Sequence, residues 1–343
     1  MATVPTISVA MATYNGAQYI REQLESIAAQ TSVPDEVVIG DDGSSDKTVA
    51  IIQEFATRAP FPVRLQQNSN RLGYGENFLR IAARCRAEWV SFCDQDDVWF
   101  PQKLEQVRKA IGRGPRDLAL IVHQAEVVDE RLVSLGRQLI DEIEEQVVPR
   151  RGHKCLWFAY GMAVTVRSDI FREFDWSARP PDRFYAPQKM AHDVWVALMA
   201  NALGSSRFVP TPLMFYRRHK NAATRNFTGD PGSPSNPFSL DRSAADKFAW
   251  DSTIHKEISQ YLRELAQTCA EFHRSALLEH SEDFRLRSVI LRNRERLERE
   301  QRIVKRARAL VDNIQVGAYN RANNFGFGLR SLGKDLAKLS GLL

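Results

Sequence analysis

Residues 89–99, Trp-Val-Ser-Phe-Cys-Asp-Gln-Asp-Asp-Val-Trp, decide the fold. The stretch 89–93 is an apolar run of strand length that stops at Asp94-Gln95-Asp96-Asp97, and Pro101 then opens a helix. The same unit occurs twice upstream. The run 7–12 ends at the turn formers Thr13-Tyr14-Asn15-Gly16, and helical spacing follows through Ile20, Leu24 and Ile27. Val37-Val38-Ile39 ends at Asp41-Asp42-Gly43-Ser44-Ser45, after which Asp46 can cap a helix carrying Val49, Ile52 and Phe55. A short strand at 63–65 and a helix over 76–85 complete the alternation.

Strands alternating with helices predict an α/β fold with a parallel sheet wound on both faces. Ligands bind such sheets at the carboxyl ends of the strands, near the point where strand order reverses. All three polar clusters lie at those ends, so they are expected to converge on one rim. Alternate carboxylates just past a strand can point to one side, and that arrangement suits a hard divalent cation. An isolated Asp-x-Asp is more often a solvated loop; the preceding strand and the matching Asp41-Asp42 loop are what lift this one above that reading.

After about residue 115 the pattern becomes mixed. Strands are expected at 118–123 and around 160–166, a helix over 191–203, and a last strand ending in Phe215-Tyr216-Arg217-Arg218-His219. Residues 229–239 are rich in Pro, Gly and Ser and read as a linker or mobile loop between a domain over 1–228 and a helical region over 240–343.

Composition bounds the rest. The 343 residues are 43% hydrophobic, enough for one good core plus an appendage. The net charge of +5 is uneven: residues 285–308 hold ten Lys/Arg against three Glu, an excess larger than that of the whole chain. That segment lacks the interleaved aromatics of a single-strand binder, so nucleic acid is not an expected partner. Cys85, Cys93, Cys155 and Cys269 show no CxxC spacing, and neither a disulfide nor a zinc site is expected. There is no run of about 18 uncharged apolar residues, and residues 1–12 lack a basic leader, so the chain is expected in the cytoplasm.

Ala12-Thr13-Tyr14-Asn15-Gly16, Asp41-Asp42-Gly43-Ser44-Ser45-Asp46-Lys47-Thr48 and Cys93-Asp94-Gln95-Asp96-Asp97-Val98-Trp99 resemble, in order and spacing, the signature segments of family-2 glycosyltransferases. The resemblance covers roughly residues 5 to 225. It implies a GT-A fold, Rossmann-like with a mostly parallel central sheet, here with a C-terminal helical extension. It implies an inverting enzyme that uses Mg or Mn and a nucleoside diphosphate sugar, the nucleotide lying in the first half of the fold. Carried over by position, Thr13, Tyr14, Asn15, Asp41, Asp42, Arg71 and Gln95 would contact the nucleotide. Asp94 would be shared between ribose and metal, and Asp96 would contact the metal directly, with His219 completing its shell. Gly161, in Tyr160-Gly161-Met162, resembles the segment that lets backbone approach the donor sugar, and Arg217 or Arg218 would neutralise diphosphate charge.

Family members place a catalytic carboxylate at a helix start, usually as Glu-Asp, and this chain has Ala191-His192-Asp193-Val194-Trp195. Asp193 is the expected base, with His192 the alternative base or an acceptor contact. The combination also looks similar to bacterial rhamnosyltransferases of surface polysaccharide assembly, which implies dTDP-rhamnose as donor and a glycan or lipid-linked acceptor; a UDP-sugar donor and a catalytically silent scaffold are the competing readings. A nucleotidyltransferase should carry a Gly-rich phosphate loop after the first strand, and Thr13-Tyr14-Asn15-Gly16 is not one. The basic helices beyond 240 either pack as a helix pair or attach to an anionic membrane on its inner face. Residues 329–343, with Leu332, Leu336, Leu339, Lys334 and Lys338, fit an interfacial helix. An oligomer is compatible with all of this.

Overall fold

The computed structural model describes residues 4–141, 143–153, 159–183, 188–220, 222, 243–320 and 328–339. The chain divides into two compact units. One comprises Met1–Trp176 and Ala191–Ala222, the other Ser177–Met190 and Ala223–Leu343. The expected linker at 229–239 lies outside the described residues, as does Cys155; Cys85, Cys93 and Cys269 are buried free thiols.

The first unit begins with the expected alternation: β1 (Ile7–Thr13), α1 (Ile20–Ala28), β2 (Glu36–Asp41), α2 (Thr48–Ala56), β3 (Val63–Gln67), α3 (Tyr74–Ala82) and β4 (Trp89–Asp94). All six residues of β2 are buried, as are nearly all of β1 and β4. Helices on both faces require this, and it explains why these strands read as continuous apolar runs rather than alternating ones. In α1, Ile20, Leu24 and Ile27 fall on one face and are wholly buried; each such side chain contributes about 1.5–3 kcal/mol of hydrophobic stabilisation.

A two-residue β5 (Val98–Trp99) and α4 (Lys103–Gly112) follow, then β6 (Leu118–Val128), β7 (Ser134–Gln138), β8 (Gln146–Val148), β9 (Val164–Arg167), α5 (Ile170–Glu173), α6 (His192–Leu203) and β10 (Ser205–Arg217). The sheet order is β3-β2-β1-β4-β9-β6-β10-β5, with β7 on β6 and β8 on β10. Pairs β1–β2, β1–β4, β2–β3 and β6–β10 are parallel. The central sheet is mostly parallel, as expected; β9 enters it antiparallel between β4 and β6. It is only four residues long and follows a 3-10 turn at Gly161–Ala163. Helix α6 is buried on nearly every face, which its apolar composition allows.

The second unit contains α7 (Ala244–Thr268), α8 (Glu271–Arg299), α9 (Ile303–Gln315) and α10 (Gly328–Leu339). Helices α7 and α8 run antiparallel: Ser252 bonds to Ser288 and Ser259 to Ser281, each through a hydroxyl donating 2.8 Å to the carbonyl of the other helix. Small side chains at both levels let the backbones approach. At the far end of α8, Ile290 and Leu297 join Leu310 and Tyr319 in a second small core, against which Leu332 and Leu339 of α10 pack.

Candidate active site

The strand order reverses between β2 and β4 around β1, and the registers Thr13↔Asp41 and Ala12↔Asp94 set the three polar clusters level on one rim. Gln95 ties two of them together. Its Oε1 accepts from the Tyr14 N–H at 3.0 Å and its Nε2 donates to the Tyr14 carbonyl at 3.0 Å. Gly16 is required for this approach, because a Cβ there would lie 2.1 Å from Gln95 Oε1. Asn15, at φ 46°, accepts from the Ser45 N–H at 2.9 Å and donates its own N–H to Ser44 Oγ at 2.9 Å. An asparagine tolerates that left-handed backbone better than most residues.

The two aspartates of the second cluster hold loops. Asp41 accepts from Thr13 Oγ1 at 3.0 Å and from the Ser44 N–H at 2.9 Å. Asp42 accepts from the N–H groups of Leu72 and Gly73 at 2.7 and 2.8 Å. Both carboxylates are buried. Asp42 therefore anchors the segment that carries Arg71, whose guanidinium carbon sits 3.9 Å from the centre of the Tyr14 ring. The pair forms a partly exposed cation–π wall beside the acid cluster.

Oxygens of Asp94, Asp96 and Asp97 all lie within 4.8 Å of one another. Burial first, then the charges of Asp96 and Asp193, push the Asp94 carboxyl up to about 8. Burial together with Asp96 and Asp94 likewise raises Asp97. Three hard oxygen donors packed this closely fit a divalent cation of the Mg or Mn type. Asp97 Oδ2 is buried and, among the described residues, without a hydrogen-bond partner, which fits the same group. Strand β5 folds this loop back on β10, and His219 Nε2 reaches Asp96 Oδ2 at 2.7 Å.

Arg217, one of the two arginines expected at the diphosphate, lies against the acid loop. Its N–H donates to Asp97 Oδ1 at 3.0 Å, its Nε to the Asp96 carbonyl at 2.7 Å and its Nη1 to the Glu130 carbonyl at 2.9 Å, and Nη2 pairs with Glu22. It is buried, and these bonds hold the acid loop to β10. Sequence reasoning put Asp97 in the acid cluster without a role of its own, and passed over Lys103. Lys103 is wholly buried, with Nζ 3.2 Å from the Met162 carbonyl and 3.8 Å from the centre of the Trp99 ring. Burial lowers it to about 7, while the charges of Asp97 and Asp94 act in the opposite sense.

His192 and Asp193 part company at the start of α6. The His192 ring is buried, stacked on Phe78 at 4.3 Å and edge-on to Phe92 at 5.1 Å. Gly161 makes room for it, since a Cβ there would lie 2.4 Å from His192 Nε2. Asp193 is partly exposed, its Oδ1 accepting from the Val194 N–H at 2.8 Å, and its charge is felt by both Asp94 and Tyr160.

Residues 8–173 match the glycosyl transferase family 2. The chain is 36% identical over 126 residues to an uncharacterised protein of Mycobacterium bovis, a stretch that is 36% of each chain. It is 28% identical over 233 residues to the dTDP-rhamnosyl transferase RfbG of Shigella flexneri, covering 62% of this chain and 72% of that one. Among solved structures, S. aureus TarS 1–349 in complex with UDP-GlcNAc superposes with a TM-score of 0.53 at 16% identity, over 98% of this chain and 92% of that one. This last likeness concerns the fold, a GT-A arrangement.

Proposed function

Residues 8–173 belong to glycosyl transferase family 2, and from that premise we propose that the chain is an inverting, metal-dependent glycosyltransferase acting on a nucleoside diphosphate sugar. One observation carries the reading. The Asp94–Asp96–Asp97 cluster, with His219 on Asp96, lies on the same rim as the Tyr14–Arg71 wall.

In this reading the nucleobase stacks against Tyr14 and Arg71, and Asp94 contacts the ribose. Asp94, Asp96 and Asp97 would hold a Mg or Mn ion with His219 beside them, and such an ion would supply neutralisation of the charge on a departing diphosphate. Asp193 accepts the proton of the acceptor hydroxyl as that oxygen bonds to the anomeric carbon. The bond from that carbon to the diphosphate breaks, and the nucleotide leaves with the bonding pair. Inversion follows from this single displacement. Asp193 is favoured over His192 because it is partly exposed and sits at a helix N-terminus, whereas the His192 ring is packed among phenylalanines.

The likeness to the Shigella protein supports dTDP-rhamnose as donor and a glycan or lipid-linked acceptor of surface polysaccharide synthesis. The test is nucleotide release from dTDP-rhamnose and from UDP- and GDP-sugars, with Mn or Mg, for the natural chain and Asp193→Asn. Release from dTDP-rhamnose, falling about 100-fold or more in the variant, is expected. Release from a UDP-sugar alone would overturn the donor, near-normal turnover of Asp193→Asn would overturn the base, and no release from any donor would favour a silent scaffold.

A further inference from the structure

Helix α9 has two apolar faces, and the fold uses only one. Ala309, Leu310 and Asn313 point into the small core formed with α8 and α10. Ile303, Val304, Val311 and Ile314 do not: they are 62%, 77%, 48% and 51% exposed. At about 100° per residue these four, with Ala307 among them, fall within a single arc of about 100°. A second apolar stripe in water adds nothing to the stability of the unit and marks a place where something docks.

The charge around the stripe says what docks there. Lys305 and Arg308 are exposed on the same helix. At the junction of α8 and α9, Arg292, Arg296, Arg299 and Arg302 line a depression of about 560 Å³ with Glu295 and Glu300. Arg299 is matched by Asp246 and Glu295, and Lys305 by Glu300. Among the described residues, no carboxylate forms an ion pair with Arg292, Arg296 or Arg308, while Arg302 has Glu300 beside it. An apolar stripe on a helix that carries exposed cations, next to a second helix that carries more of them, complements a surface of acyl chains beneath anionic headgroups. A second copy of the chain would bring the same cations face to face, which disfavours self-association.

We infer that α9 is the membrane-seating element of this protein, lying in the plane of an anionic phospholipid bilayer. Ile303, Val304, Val311 and Ile314 enter the headgroup boundary, and the arginines of α8 and α9 meet the phosphates. Helix α10 offers less apolar surface: Leu336 is 47% exposed, but Leu332 and Leu339 pack inward, and Asp335 accepts from Tyr319 Oη at 2.7 Å and pairs with Arg294. The inference deepens the reading of a lipid-linked acceptor and rests on that reading for its purpose, not for its evidence.

The test is sedimentation of the full chain with phosphatidylglycerol-rich vesicles and with pure phosphatidylcholine vesicles, at low and high salt. The double variant Val304→Asp/Ile314→Asp is run beside it, with melting temperature and nucleotide release measured on the same samples. The natural chain should sediment with the anionic vesicles and be released by salt. The variant should bind about tenfold or more weakly with its melting temperature and nucleotide release unchanged. Equal binding by the variant, equal binding to neutral vesicles, or a dimer that the variant dissolves in the absence of vesicle binding would overturn the inference. Vesicle binding as expected with no nucleotide release from any donor would leave it standing and sink the glycosyltransferase reading instead.

Discussion

His219 Nε2 lies 2.7 Å from Asp96 Oδ2 across 123 positions of sequence, because β5 pairs with β10 immediately before the chain reaches the histidine. The contact places the His219 imidazole beside the same three carboxylates that would hold a cation. His219→Ala should therefore weaken Mn binding about 10–100-fold, read as free Mn by electron paramagnetic resonance, with the melting temperature of the metal-free protein little changed. Asp96→Asn should weaken it at least as much. Unaltered Mn affinity in both variants would remove the cluster from consideration as a metal site, and chelation of the natural chain would then leave nucleotide release intact.

Gly161 and His192 form a steric pair. A methyl at 161 meets the imidazole at 2.4 Å, and the ring cannot retreat because Phe78 and Phe92 pack its face and edge. Gly161→Ala should cost about 1–3 kcal/mol of stability. His192→Ala should cost stability by opening a cavity, but the double variant should be less destabilised than the sum of the two. Additive losses in urea unfolding would mean that the contact is not what fixes the glycine.

Much of the rim is legible in the sequence because the parallel registers of β1, β2 and β4 convert three separated motifs into neighbours, and each motif announces itself as polar residues after an apolar run. What stays hidden depends on contacts between distant segments. Nothing near Arg217 forecasts that its guanidinium would be taken by Glu22, 195 positions away, and by backbone carbonyls of the acid loop. Lys103 reads as an ordinary first-turn residue of a helix, yet the approach of Met162 and Trp99 buries it completely. Asp97 differs from Asp96 only in pointing inward. The antiparallel entry of β9 is equally silent, since four buried residues carry no direction.

Tyr14 and Arg71 offer a direct test of where a nucleotide sits. The ring is held by backbone bonds to Gln95, and the arginine is brought over it by Asp42 acting on Leu72 and Gly73. Tyr14→Ala should weaken binding of a nucleoside diphosphate by about 1–3 kcal/mol, the usual worth of a base–aromatic stack, while Arg71→Ala costs less. Calorimetry with the nucleotide and Mn measures both. Tyr14→Ala binding as tightly as the natural chain would put the base elsewhere on the rim.

The helical unit should be acid-sensitive through His255. This ring is buried between α7 and α8, its Nδ1 2.6 Å from the Asp251 carbonyl, and burial, aided by the charges of Arg287 and Arg183, lowers it to about 3 from an ordinary 6.5. Above 6.5 both the folded and the unfolded chain carry the neutral ring, so the group contributes no pH dependence. Below 6.5 the unfolded chain takes up a proton that the folded chain refuses, and stability falls until the folded ring is itself protonated near 3. Between pH 7 and pH 5 this amounts to about 2 kcal/mol. His153, lowered to about 4 by burial, titrates in the same sense but is common to the natural chain and a His255→Gln variant, so the difference between the two isolates His255. Urea unfolding followed by helicity at both pH values should show the natural chain losing about 2 kcal/mol more than the variant; equal losses would mean that the ring is accessible to water in the folded unit.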